Sequence, residues 1–168
     1  MAIDSEYATS VTRRIEAPAE RIFALLCDPA GHVAIDGSGM LRSTEVGPIT
    51  KVGDRFVVEM RNEHMDDYEI TNTVTAFEQD RSIRWQPLLT RASRPEAQDR
   101  VGVSAGHVWG FELTRVAEGV TDVTETVDYS ASPEWLQELS QGGKTWTEAL
   151  NTTLDRLAGL VEVSRGVR

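Results

Sequence analysis

One cysteine, three histidines and no long apolar run limit what this chain can do before any motif is read. A lone Cys27 forms no internal disulfide and supplies no thiolate metal cluster, so it reads as a packing residue of an apolar helix in a reducing compartment. His32, His64 and His107 are too scattered for a zinc set, and neither a metal nor another cofactor is expected. Positive charge is scarce too. Against 27 Asp and Glu there are 17 Lys and Arg, a net charge of -10, which disfavours nucleic-acid phosphates and anionic lipid as partners. The opening MAIDSEYATS has no basic flank or apolar stretch of a leader, and no run approaches the roughly 18 apolar residues of a spanning helix. No membrane insertion and a cytoplasmic location are expected. Without repeats or low-complexity segments, the 168 residues read as one domain, residues 1–168, at a length that buries roughly 70% of the unfolded surface. The pattern specifies no oligomeric state.

What is present is a run of strands closed by a helix. Tyr7 to Ile15 alternates as a strand, with Arg13 either reaching inward or sitting at the rim. Ala17-Pro18-Ala19-Glu20 starts a helix that carries Ile22, Leu25 and Leu26 and stops at Asp28-Pro29; a short helical turn and the loop Gly37-Ser38-Gly39 follow. Further strands are expected at Leu41 to Val46, around Phe56 to Met60, from Tyr68 to Ala76, around Ile83 and Trp85 ending at Pro87, from Val103 to Leu113, and from Val123 to Tyr129. Residues 88 to 102 read as a long polar loop. From Pro133 to Val163 the residues Trp146, Leu150, Leu154, Leu157 and Val161 recur at helical spacing, so one face is apolar. Gly142-Gly143 breaks this helix at a cost of roughly 2 kcal/mol relative to alanine. A looser leading segment, Pro133 to Ser140, is expected before a main helix from about Lys144; the break is expected close to one end of the cavity, and the looser segment is read as the entry point for a ligand.

Strands in sequence joined by hairpins, with one long helix returning across them, make an α+β domain. A seven-stranded antiparallel sheet must curl around such a helix, leaving a cleft suited to a small apolar ligand. Val11 to Pro29, Asn72 to Pro87, Thr121 to Ser130 and Trp146 to Glu162 resemble the opening strand and helix, central hairpin, last strand and closing helix of the START-like (SRPBCC) superfamily. That superfamily includes polyketide cyclases/dehydrases, lipid-transfer domains and birch-pollen-type allergens. The resemblance implies a helix-grip fold: a seven-stranded curved antiparallel sheet wrapped around a long C-terminal helix, with two short helices after the first strand. It does not by itself assign a function, because members bind, catalyse or assist chaperones.

Inward parity supplies the candidate lining: Phe56, Val58, Met60, Ile70, Val74, Ile83, Trp85, Trp109 and Phe111 from the sheet, and Trp146, Leu150 and Thr153 from the helix. Each alone is compatible with simple core packing, but four aromatics on facing elements suit a flat hydrophobic molecule such as an aromatic polyketide, a sterol or another isoprenoid. A fatty-acid-like ligand belongs to the same class. Asn72, His107 and Glu125 share the inward parity, and each costs roughly 1 to 3 kcal/mol if buried without a partner. They are candidates for ligand contact or acid–base chemistry. A turn near Glu118 pairs position 111 with 125 and position 107 with 129, which separates His107 from Glu125.

His32 and Asp36 lie one helical turn apart and either face the cavity or serve as a structural cap, Asp36 bonding the glycine-rich loop with His32 half exposed. The arginines Arg84, Arg91, Arg94 and Arg100 read as a solvated set matched by Glu96 and Asp99, or as a gate drawing in carboxylate ligands. Non-catalytic binding or sequestration is the first functional expectation. The alternatives are a polyketide cyclase or dehydratase using His107, Glu125 and Asn72, and a protein-binding co-activator.

Overall fold

The computed structural model describes residues 6–44 and 47–162. In chain order they form β1 (Ala8–Ile15), α1 (Ala19–Leu26), α2 (Pro29–Ile35), β2 (Leu41–Thr44), β3 (Arg55–Asn62), β4 (Asp66–Glu78), β5 (Ser82–Ala92), β6 (Val108–Ala117), β7 (Val120–Asp128), α3 (Glu134–Ser140) and α4 (Thr147–Val161). Short 3-10 turns at Pro95–Arg100 and Gln141–Trp146 precede β6 and α4. The expected ends of the second strand at Val46 and of the last helix at Val163 lie outside the described residues.

One antiparallel sheet has the order β1-β7-β6-β5-β4-β3-β2, so every neighbour is a hairpin partner except where β1 closes against β7. Alternation drives the buried face. Thr121, Val123, Glu125 and Val127 are buried while the residues between them are not. The opposite wall is α4, whose Leu150, Thr153, Leu154, Leu157, Ala158 and Val161 form one buried stripe. Its C-terminal half joins Ile15, Ile22, Phe23, Leu26 and Val123 in the main core. Each such side chain contributes roughly 1.5 to 3 kcal/mol through burial. The N-terminal half instead meets a smaller cluster of Val127, Tyr129 and Leu150, with Trp109 and Trp146 packed against it. Packing is therefore complete at one end of the helix and thins toward the other.

Two short helices follow β1 because chain stops and starts coincide there. Cys27 ends α1, and the Asp28 side chain at once caps α2 by accepting from Ala30 N–H at 3.0 Å, with Pro29 in the first turn. Arg13 sits at the rim, paired with Asp155 on α4.

Several strand limits differ from the sequence expectation. β5 does not stop at Pro87 but runs to Ala92, which removes 88–92 from the expected loop. The β5–β6 ladder ends at Trp85↔Trp109, so the strand beyond it has a free side and tolerates a residue without an N–H. Conversely, β6 begins only at Val108, and Val103 is 62% exposed. Gly106 explains the late start: at φ +77 it lies so close to Ala131 that an added Cβ would come within 2.4 Å of the Ala131 carbonyl oxygen, so the backbone seats on the 131 turn rather than on a strand. A bulge between Val74 and Ala76 shifts the parity of β4, and Phe77 rather than Ala76 turns inward, 5.5 Å from the Phe23 ring.

Gln141, Gly142 and Gly143 all have positive φ, which ends α3 and redirects the chain into α4. Trp146 consequently stands just before α4 rather than within its stripe. No described helix is long and apolar enough to cross a membrane.

Candidate functional site

Where the packing thins, a cavity of about 290 Å³ opens between the sheet and the first turns of α4. Its floor is built from alternate residues of β3 to β7: Phe56, Val58 and Met60, then Ile70 and Asn72, then Trp85, then Trp109 and Phe111, then Glu125. Trp146, Leu150 and Thr153 form the roof, and His107 borders it just ahead of β6. Of the expected lining, Val74 and Ile83 do not reach the cavity. Both are buried in the main core against α1 and the C-terminal half of α4.

The third wall is the segment from His32 to Leu41. Asp36 organises it: one carboxylate oxygen accepts from Ser38 N–H at 2.9 Å and Ser38 Oγ at 2.6 Å, the other from Leu41 N–H at 2.9 Å. Gly37 then passes so close to α4 that an added Cβ would stand 2.2 Å from the Ala149 carbonyl oxygen, and its N–H donates to Thr153 Oγ1 at 3.0 Å. Asp36 thus acts as the cap while also bordering the cavity. His32 does not pair with it and is buried rather than half exposed. Its Nε2–H donates to Leu26 O at 2.6 Å, and its ring packs edge-on to Phe56 and against Trp85. Burial lowers the His32 pKa.

Polar groups inside the cavity fall into satisfied and unsatisfied sets. Tyr129 and Trp146 belong to the first, the indole N–H donating to the phenol oxygen at 2.9 Å. His107 and Glu125 belong to the second: His107 Nδ1 and Glu125 Oε2 are sealed from solvent and have no hydrogen-bond partner among the described residues, while the buried Asn72 side chain borders the same space. Glu125 is 5% exposed, and burial together with the nearby Asp36 charge raises its pKa well above the ordinary value. His107 stacks on Tyr129 with centroids 5.2 Å apart and rings 9° from parallel. Burial lowers its pKa to about 4.

The ladder places Glu125 opposite Phe111 and Val108 opposite Asp128, so His107 lies beside Tyr129. Four residues along β7 amount to about 13 Å, too far for an imidazole–carboxylate contact. No lysine or arginine among the described residues lines the cavity. Arg91 pairs with Glu59 and Glu69, Arg94 with Asp66 and Glu96, and Arg100 lies over the Trp135 ring, so these arginines are engaged on the outer surface. Among the described residues no three His, Cys, Asp or Glu side chains converge on a metal-sized site.

His107 makes a testable statement about acid stability. The unfolded chain takes up this proton near pH 6.5 and the folded chain only near pH 4, so stability is lost as pH falls through that window. His107→Phe, which keeps the stacked ring, should lose about 2 to 3 kcal/mol less than wild type between pH 7 and 4.5 in urea unfolding. Equal losses would show that the imidazole is not buried as described.

No family model matches the chain. The uncharacterized protein Rv0088 of Mycobacterium tuberculosis is 33% identical over 125 residues, covering 73% of this chain and 48% of that protein. A second uncharacterized Mycobacterium tuberculosis protein, MT0096, is 34% identical over the same shares. The chain spans about half the length of the curated relatives it matches. Among solved structures, protein NE0264 from Nitrosomonas europaea superposes with a TM-score of 0.69 at 15% identity over 94% of this chain and 96% of that one. Protein Ms6760 from Mycobacterium smegmatis gives 0.64 at 17% identity over 96% and 94%. The Aha1 dimer from Colwellia psychrerythraea gives 0.56 at 18% identity over 95% and 98%.

The chain has the helix-grip fold, a curved seven-stranded antiparallel sheet closed by a long C-terminal helix, and shares its fold with these solved structures.

On this helix-grip frame, sequence parity missed several cavity neighbours for identifiable reasons. Tyr68 and Tyr129 already lie on the inward parity at the ends of their expected strands, and Pro87 continues the parity of Trp85, so all three could have been added from the same alternation. Ala149 follows from helical spacing, one turn ahead of Thr153. Ile35, Ser38, Met40 and Leu41 had no such signal, because the loop path that brings them in is set by Asp36 and by contact with α4.

Proposed function

We propose that this protein binds and sequesters a small, flat hydrophobic molecule in the cavity beneath the first turns of α4. The observation that carries the reading is the cavity's make-up: walls of Phe56, Trp85, Trp109, Phe111 and Trp146, interrupted by buried Asn72 and Glu125 and half-buried His107, with Glu125 Oε2 and His107 Nδ1 sealed from solvent and unpaired among the described residues. An aromatic-lined space with a few unpaired polar groups is the usual character of a ligand pocket, and leaving those groups unpaired costs stability that a ligand would restore. Aromatic polyketides and uncharged isoprenoids match this lining in shape and polarity. Binding is preferred to acid–base catalysis because His107 and Glu125 stand about 13 Å apart along the β6–β7 seam and share no hydrogen bond.

The test is thermal unfolding against aromatic ketones, sterols and fatty acids. Ligand at 100 times its Kd should contribute about 2.7 kcal/mol and raise Tm by several degrees. A panel without any shift contradicts the reading and favours a protein-docking module, for which the apolar interior is core alone. Turnover of a poly-β-ketone mimic that is lost in His107→Ala or Glu125→Gln would replace binding with cyclase activity.

A further inference from the structure

Resting on that binding reading, we infer that Glu125 determines which ligands the cavity accepts: its carboxyl group donates a hydrogen bond to an oxygen of an uncharged ligand and excludes ligands that bring a negative charge. Glu125 lies midway along β7 and faces the cavity opposite Phe111, with Val123 and Val127 as its inward neighbours on the same strand. The carboxyl group has no hydrogen-bond partner among the described residues, and one of its oxygens is sealed from solvent. Its ladder partner Phe111 and its inward neighbours on β7, Val123 and Val127, are apolar, so nothing in the sheet requires an acid there. Leucine at this position would satisfy packing alone.

The surroundings decide between an acid and a carboxylate. The charged group that acts on Glu125 is Asp36, of the same sign, and Asp36 already spends both oxygens on the Ser38 and Leu41 contacts. No cation lines the cavity among the described residues. A carboxyl group in such a place holds its proton, consistent with its raised pKa, and a protonated carboxyl is a donor. A carbonyl or hydroxyl oxygen placed against it is satisfied. A ligand carboxylate meets Asp36 without any counter-ion, which removes free fatty acids from the expected ligands.

Four probes of one shape separate the possibilities: 2-acetylnaphthalene, 2-isopropylnaphthalene, 2-naphthoate and 2-naphthylmethylammonium, titrated by calorimetry into wild type, Glu125→Gln and Glu125→Leu. Wild type should bind the ketone about five- to tenfold tighter than the hydrocarbon, and the naphthoate at least about a hundredfold weaker than the ketone. Glutamine, which still donates through its amide, should keep the ketone preference. Leucine should abolish the preference while the hydrocarbon binds as well as before or better. A ratio near one in wild type, or one unchanged by leucine, overturns the role of Glu125 and leaves the hydrophobic binding reading standing. Tightest binding of the ammonium probe overturns it differently, making Glu125 a counter-ion. Failure of all four probes removes both.

Discussion

Ala149→Trp should abolish ligand binding, weakening it at least about a hundredfold, while leaving the fold intact. Ala149 stands on the first turn of α4 and borders the cavity together with Leu150 and Thr153. An indole at this position occupies much of a space of about 290 Å³ and lies against the aromatic floor. Because it fills a void instead of displacing packed atoms, unfolding stability should change by less than about 1.5 kcal/mol. Circular dichroism and urea unfolding check the fold, and calorimetry with 2-acetylnaphthalene checks binding. Wild-type affinity in a folded variant would mean that the ligand sits elsewhere.

The second large effect concerns stability. Gly142→Ala should lower unfolding free energy by about 3 kcal/mol or more. Gly142 has φ +65, which costs a side-chain-bearing residue about 1 kcal/mol, and an added Cβ would come within 2.2 Å of the Glu6 carbonyl oxygen. That neighbour is backbone and cannot swing aside, so the start of β1 must move. Gly119→Ala is the control: its φ is +69, yet nothing lies within 4 Å of the added Cβ, and about 1 kcal/mol is expected. Equal losses in urea unfolding would show that the close approach at Gly142 is absent. This changes the meaning of the glycine pair. Read as a sequence, Gly142-Gly143 marks a break near one end of the cavity behind a looser segment that admits the ligand; in the fold both glycines are buried, Gly142 against the chain entering β1 and Gly143 beside Val127 and Thr9. They act as a tight seat that sets where α4 begins, so alanine there disturbs the fold before it alters ligand exchange.

What could be read from the chain was whatever local periodicity controls. Counting outward from the Ala117-Glu118-Gly119 turn places Phe111 opposite Glu125, and the ladder has that pairing. The same parity brought Asn72, His107 and Glu125 to one face. The burial of Asn72 and Glu125, and the missing partners of His107 Nδ1 and Glu125 Oε2, are properties of the assembled sheet and helix. Tertiary context decided the rest. Pro87 reads as a strand end because a missing N–H usually breaks a ladder, and only the early end of β5–β6 pairing makes it harmless. His32 lies in a helix of seven residues, too short to show which face is inward, and its bond to Leu26 O depends on how α2 folds back on α1. The bulge after Val74 reverses the parity downstream, so Phe77 rather than Ala76 faces the core.

The most direct test of the central claim is isotope-filtered NOE spectroscopy of the protein with 2-acetylnaphthalene. Ligand protons should show contacts to Trp109, Phe111 and Trp146, which line the cavity from floor and roof. Contacts confined to Trp135 and Leu139, the exposed apolar residues of α3, would place the molecule on the outer surface and contradict the account.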